Sequence, residues 1–168
     1  MESILISSCL IGEPVRYNGV DKRCDAEILL RWRGEGRLVP VCPEVSGGLP
    51  VPRPPAEIAN AMGGLKVLQE TARVVNAAGQ DVTLQFVLGA EAALELARAK
   101  GIRIAVLKEG SPSCGTGYTY DGTFSGKKVA QPGVTAALLQ QAGIHVFSEA
   151  QLEQADSLLR QFEAAPAA

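Results

Sequence analysis

The sequence predicts an α/β fold: a three-layer sandwich on a mostly parallel, Rossmann-like sheet. Short apolar runs at residues 3–8, 37–42, 102–107 and 144–147 have the length and composition of buried strands. Helical patterns lie between them, in the order βαβ…αβ…αβα that parallel strands joined by crossovers require. Three of the four cysteines, Cys9, Cys42 and Cys114, stand just past such runs. Ligand crevices of an open α/β sheet form there, outside the carboxyl ends of the strands.

The elements follow from local chemistry. Residues 3–8 read as a strand bounded by the Gly12-Glu13-Pro14 turn, and 13–21 as loop. Residues 23–34 place Ile28, Leu29 and Trp32 at helical spacing and stop at Gly34. Strand 37–42 leads into 43–57, whose five prolines and adjacent glycines exclude a regular helix or central strand. Residues 65–69 and 73–75 suggest a hairpin or a pair of short strands. From Asp81 to Lys100 runs the clearest helix, with Asp81 as cap, an apolar face of Phe86, Ala90, Ala93, Leu94 and Ala97, and Gly101 as stop. Strand 102–107 precedes a glycine-rich loop over 110–127. A short helix from Gly133 to Gln141 then leads to strand 144–147. Ser148 and Gln151 form a capping box for a last helix. One α/β domain is expected over 1–163, with 164–168 as a fraying tail.

Composition narrows the function. A chain of 168 residues with 46% hydrophobic and 20% charged residues can bury a sizeable core. A net charge of −2 gives no global attraction to nucleic acid or an anionic membrane, so the expected partner is a small molecule. No apolar run approaches the ~20 residues that span a bilayer, and the N-terminus lacks the pattern of a secretory signal. The expected compartment is the cytoplasm, where cysteines serve as thiols, metal ligands or nucleophiles rather than disulfides.

The cysteines carry the strongest chemical signal. Their wide gaps count against a zinc ribbon and a thioredoxin-type pair, and they lack the close spacing of a ferredoxin-type run. Each alone is as readily a small buried hydrophobe. Three delivered to strand ends can converge, and three thiolates are one short of the four that usually close an iron–sulfur cluster. One metal position then stays free for chemistry. Cys24, at the start of the first predicted helix, is expected to be a packing residue or spare thiol. Glu44 lies two residues past Cys42 across the rigid Pro43, placed for acid–base work if its surroundings tune it. Ser111 and Ser113 flank Pro112 in the turn before Cys114, and their hydroxyls are candidates for binding an anion or donating to a sulfur. Gly47 and Gly48 permit close backbone approach to a ligand. Arg53 is placed to clamp a substrate oxygen. Arg16, Tyr17, Tyr118 and Tyr120 suit a planar heterocycle. His145, the sole histidine, fits a satisfied strand or core position.

The combination of blocks resembles one bacterial family, long called domain of unknown function 523. The resemblance rests on Ser8-Cys9-Leu10, Arg16-Tyr17-Asn18-Gly19, Cys42-Pro43-Glu44-Val45 with Gly47-Gly48-Leu49, and Pro52-Arg53 with Pro55 and Glu57. It extends through Ser111-Pro112-Ser113-Cys114-Gly115, Tyr120-Asp121-Gly122-Thr123-Phe124 and Gly133-Val134-Thr135. Gln131-Pro132 stands where relatives tend to carry glycine. The resemblance implies a 4Fe–4S cluster on Cys9, Cys42 and Cys114 with one open iron. It implies replacement of the thiocarbonyl sulfur of a 2-thiouracil-like pyrimidine by oxygen from water, with the sulfur taken up by that iron. Glu44 and Ser111 or Ser113 are the implied acid–base or orienting groups. The sequence leaves open whether the substrate is the free base, the nucleoside or a thiolated tRNA nucleoside. Two alternatives remain at this stage. One is a non-catalytic iron–sulfur or zinc module, a sensor or sulfur carrier, with Cys24 as fourth ligand. The other is a metal-free hydrolase using Cys114 as nucleophile with His145.

Overall fold

The computed structural model describes residues 1–165. Strand β1 (Ile4–Ser7) runs into a 3-10 turn at Ser8–Ile11. Helix α1 (Glu27–Gly34), strand β2 (Leu38–Val41) and a single helical turn, α2 (Pro43–Ser46), follow. Next come β3 (Ala56–Ile58), α3 (Gly63–Leu68), β4 (Val74–Asn76) and the long α4 (Thr83–Ala99). Strand β5 (Ile104–Leu107) precedes the short β6 (Thr119–Tyr120) and β7 (Lys128–Val129). The chain continues through α5 (Val134–Gln141), β8 (His145–Ser148) and α6 (Leu152–Ala164). Of the tail 164–168, Ala164 closes α6, and 166–168 lie outside the described residues.

The central sheet has the order β2-β1-β5-β8, all parallel. Alternation along its strands feeds two helical layers, because successive side chains point to opposite faces. Ile4, Ile6, Ile104 and Val106 pack with Leu29 and Trp32 of α1 and Leu152, Ala155 and Leu159 of α6. Leu5, Ala105 and Leu107 pack with Ala93, Leu94 and Ala97 of α4 and Ala136 and Leu139 of α5. This is the mixed α/β sandwich that the sequence predicts. A third core lies beneath the antiparallel β3–β4 ribbon, where Ile58 and Val74 meet Val67, Phe86, Ala90 and Val134. Sheet growth reverses between β1 and β5: the chain passes from β1 to β2 on one side, then from β5 to β8 on the other. That switch point is where open α/β sheets form their ligand crevice.

Two local expectations are corrected. Residues 43–46 form a helical turn, because Pro43 sits at its first positions, where a missing N–H costs nothing. Residues 63–68 are helical, not a strand, and β4 pairs with β3 instead. His145 takes the strand position of its two expected places: it is exposed on edge strand β8, outside the core, and lies against Phe162 with ring centroids 5.8 Å apart. The Ser148–Gln151 capping box forms as expected, ahead of α6. Among the described residues no helix is long and apolar enough to cross a membrane.

Candidate active site

A cavity of about 590 Å³ opens at the carboxyl ends of the strands; Ser7 of β1, Val41 of β2 and Lys108, just past β5, line it. Cys9, Cys42 and Cys114 all line the same cavity, as free thiols. Each reaches it by a different local device. Cys9 lies in the 3-10 turn after β1, and its carbonyl accepts from Gly12 N (3.3 Å) and Lys22 N (3.0 Å). Cys42 flanks the N-terminus of α2. Cys114 sits in a tight turn closed by Gly115 N donating to the Ser111 carbonyl at 2.8 Å. Gly133 backs that turn so closely that a Cβ on it would lie 2.5 Å from the Ser113 carbonyl. Cys24 does not line the cavity; it is half-buried against the α1–α6 core, with its N–H donated to Leu10 O at 2.8 Å.

Burial dominates the electrostatics of the thiols. It pushes Cys9 up to about 11, against the pull of the Arg16 and Lys108 charges. Burial raises Cys42 and Cys114 too, and a hydrogen bond with Ser7 partly offsets it at Cys114. Glu44 also lines the cavity, and burial raises its carboxyl above the usual range despite the neighbouring Arg53. Arg53 Nε donates to Glu44 Oε1 at 3.3 Å, and its other nitrogens donate to Pro50 O (3.0 Å) and Val15 O (3.1 Å). The Arg53 side chain is only 4% exposed, so it works as a clamp on Glu44 and two loops. Ser111 Oγ approaches Glu44 Oε2 at 3.5 Å, longer than an ordinary O–H···O bond and so a weak donation, and accepts from Ser113 N and Cys114 N, each at 3.1 Å. One hydroxyl therefore ties the Cys114 turn to the carboxylate beside Cys42.

The other sequence candidates divide. Arg16 and Tyr17 line the cavity, with the guanidinium 5.8 Å from the Tyr17 ring centroid. Ser113 does not: it is fully buried and bonded to Thr135 Oγ1 at 2.8 Å, which anchors the turn to α5. Gly47 lies outside the cavity wall, packed on α4, where a Cβ would come within 1.9 Å of Gln85 O. Gly48 takes the left-handed φ of +101° that ends α2. Tyr118 also lies outside the wall. It packs edge-on against Tyr120 (6.0 Å) beneath the Lys128 ammonium, and Tyr120 is the one that lines the cavity.

Several residues of the site escape the sequence pattern. Lys108 lines the cavity and is paired with Glu149 (2.8 Å). Glu109 folds the cysteine loop around its carboxylate, accepting from Thr116 N (2.7 Å) and Gly117 N (2.9 Å). Both directly follow β5, so the strand-end rule that singled out the cysteines applies to them equally. Glu57 and Phe124, which stand in the blocks of the family resemblance without a role assigned to them there, complete the wall from opposite parts of the chain.

Two known proteins are similar to this chain over most of its length. A Bacillus subtilis (strain 168) protein described as uncharacterized, YbbK, is 48% identical over 149 residues, or 89% of this chain and 97% of that protein. A solved structure of a 4Fe–4S-dependent thiouracil desulfidase, TudS, is 48% identical and covers 96% of this chain and 99% of its own, with a TM-score of 0.87. The 2-thiouracil desulfurase family matches residues 4–151, a span that holds the whole cavity with its three cysteines. The chain belongs to the 2-thiouracil desulfurase family.

Proposed function

We propose that the protein is an iron–sulfur-dependent desulfurase that replaces the thiocarbonyl sulfur of a thiolated pyrimidine with oxygen from water. The observation that carries this is the meeting of Cys9, Cys42 and Cys114 in one cavity with Glu44 beside them. The donor set fits a 4Fe–4S cluster. Three thiols arrive from three strand ends, and among the described residues no three His, Cys, Asp or Glu close on a single-ion position. A cluster takes one thiolate per iron, so it suits wider spacing than one zinc ion does. When bound, the cluster would supply a Lewis-acidic iron without a cysteine ligand, able to polarise the C–S bond and accept the sulfur.

The protein's own groups do the rest. Glu44 is the proton-handling residue: half-buried, held at one oxygen by Arg53 and approached at the other by Ser111. It takes a proton from the attacking water and returns one to the departing sulfur. The net change is a hydrolysis: thiocarbonyl and water give carbonyl and hydrogen sulfide, with no reductant consumed. Ser111 orients Glu44, whereas Ser113 serves the loop. Arg16 and Tyr17 line the approach and are placed to meet the polar edge and the face of a heterocycle.

The alternative hydrolase would pair Cys114 with His145. His145 is in register with Ile104 at the start of β5, whereas Cys114 lies beyond that strand's far end. The pairing that such a nucleophile needs does not form.

The test is Glu44→Gln in anaerobically prepared, iron-replete protein. It should keep its iron and visible absorption and lose about 10²-fold or more of 2-thiouracil turnover, the scale of general acid–base assistance. Near-normal turnover would remove Glu44 from this role and move attention to Ser111.

A further inference from the structure

The chain between β6 and β7 forms a flap beside the cavity, with register Thr119↔Val129 and Tyr120↔Lys128. Phe124 lies near its tip and lines the cavity. Its ring belongs to none of the three apolar cores and is 41% exposed. Its backbone φ is +57°, a left-handed conformation that a bulky residue rarely adopts. Such a conformation persists only where the surroundings enforce it, and it concentrates at functional sites.

The enforcement is visible here. One carboxylate oxygen of Glu57, in β3, accepts both Gly122 N (2.9 Å) and Phe124 N (3.1 Å). Ala61 N donates to Asp121 O at 2.9 Å. Gly122 lies so near the end of β3 that a Cβ there would come within 2.7 Å of Ile58 O. Asp121 Oδ1 accepts from Thr123 N (2.9 Å) and Thr123 Oγ1 (2.6 Å). The flap tip is therefore pinned to the β3 region at several points. What the pinning presents to the cavity is an aromatic ring with no packing task.

We propose that Phe124 is a specificity-determining residue whose ring stacks on the planar heterocycle of the substrate, with Glu57 as its positioning residue. This rests on the desulfurase assignment above. Stacking selects for a flat π-face, whatever the substituents on the heterocycle, and leaves the reacting carbon to the cysteine and Glu44 side of the cavity. The ring contributes to binding alone and has no part in the proton transfers.

The experiment compares iron-replete wild type with Phe124→Leu, Phe124→Tyr, Glu57→Ala and Glu57→Gln under anaerobic conditions. It reads KM and kcat for 2-thiouracil, the Kd of the product-like base uracil by calorimetry, and iron per chain. Phe124→Leu should raise KM and the uracil Kd about tenfold, the scale of one lost stacking contact, with kcat within about twofold and iron unchanged. Phe124→Tyr, which keeps the ring, should match wild type. Glu57→Ala should follow Phe124→Leu, and Glu57→Gln, which keeps an acceptor oxygen, should recover much of the binding. Wild-type KM and uracil affinity in Phe124→Leu would overturn the stacking role while leaving desulfuration intact. A wild type that neither binds uracil nor converts 2-thiouracil would instead overturn the desulfurase assignment, and the stacking role with it.

Discussion

Gly89→Ala separates two opposing physical effects at the support of the site. Gly89 lies inside α4, where α2 meets it: a Cβ there would lie 1.9 Å from Pro43 O and 2.6 Å from Pro43 C. The contact is reciprocal, since a Cβ on Gly47 would lie 1.9 Å from Gln85 O. The two helices touch backbone to backbone. Ordinary contact begins near 3.4 Å, so the added methyl must move Pro43 by about 1.5 Å, the difference between 3.4 and 1.9. Cys42 and Glu44 flank Pro43 and move with it. On helix propensity alone, Gly→Ala in a helix interior stabilises by about 1 kcal/mol. Overpacking of a filled contact costs about 1–3 kcal/mol. The backbone obstacle here cannot rotate away as a side chain can, so the cost wins and the variant should be less stable than wild type by about 1–2 kcal/mol. With Glu44 in the proton-handling role proposed above, a displacement of this size should also lower 2-thiouracil turnover about 10²-fold. Urea unfolding and anaerobic turnover measure the two effects. A raised unfolding midpoint with normal turnover would refute the claim that this glycine pair sets the position of Cys42 and Glu44.

Two further outcomes follow from the geometry. Cys24→Ser should retain iron and activity, because Cys24 lies outside the cavity, whereas Cys114→Ser should lose both; loss of iron in Cys24→Ser would favour a closed four-thiolate site. Glu163 is held at about 2 by its hydrogen bond from Arg37, against an ordinary 4.5. A depressed carboxylate adds stability above its unfolded value and loses it as pH falls through the folded one. Thermal unfolding of wild type should therefore weaken between about pH 4.5 and 2, and Glu163→Gln should show a flatter acid limb; identical limbs would contradict the pairing.

The sheet is legible in the sequence because its central strands are buried on both faces. Ile4–Ser7 and Ile104–Leu107 are buried at every residue, and such strands read as unbroken apolar runs. Residues 63–68 are not legible: Leu65, Val67 and Leu68 fit either period, and so short a run cannot decide. Their helix packs Gly64 against the backbone of Gly133, a Cβ there meeting Gly133 O at 2.2 Å, and no local pattern reports such a contact. The five prolines of 43–57 mislead in the opposite direction, since one of them, Pro43, is well suited to start a helical turn. In the site, the strand-end rule finds the three cysteines. It does not separate Ser111 from Ser113, because a tight turn sends one to Glu44 and the other to Thr135. Gly47-Gly48 reads as an approach to ligand, and Gly47 turns out to admit a helix. Glu57 and Phe124 fall within the blocks that carry the family resemblance, but their meeting is not legible there, because it depends on the β6–β7 flap lying over β3.

The most direct measurement of the central claim is turnover of 2-thiouracil by anaerobic, iron-replete protein in oxygen-18 water, with the uracil analysed by mass spectrometry and sulfide quantified. Hydrolysis at a cysteine-held cluster predicts uracil carrying one labelled oxygen, hydrogen sulfide in equal amount and no need for an added reductant. Unlabelled uracil, an absolute requirement for reductant, or equal turnover by protein stripped of iron would contradict it.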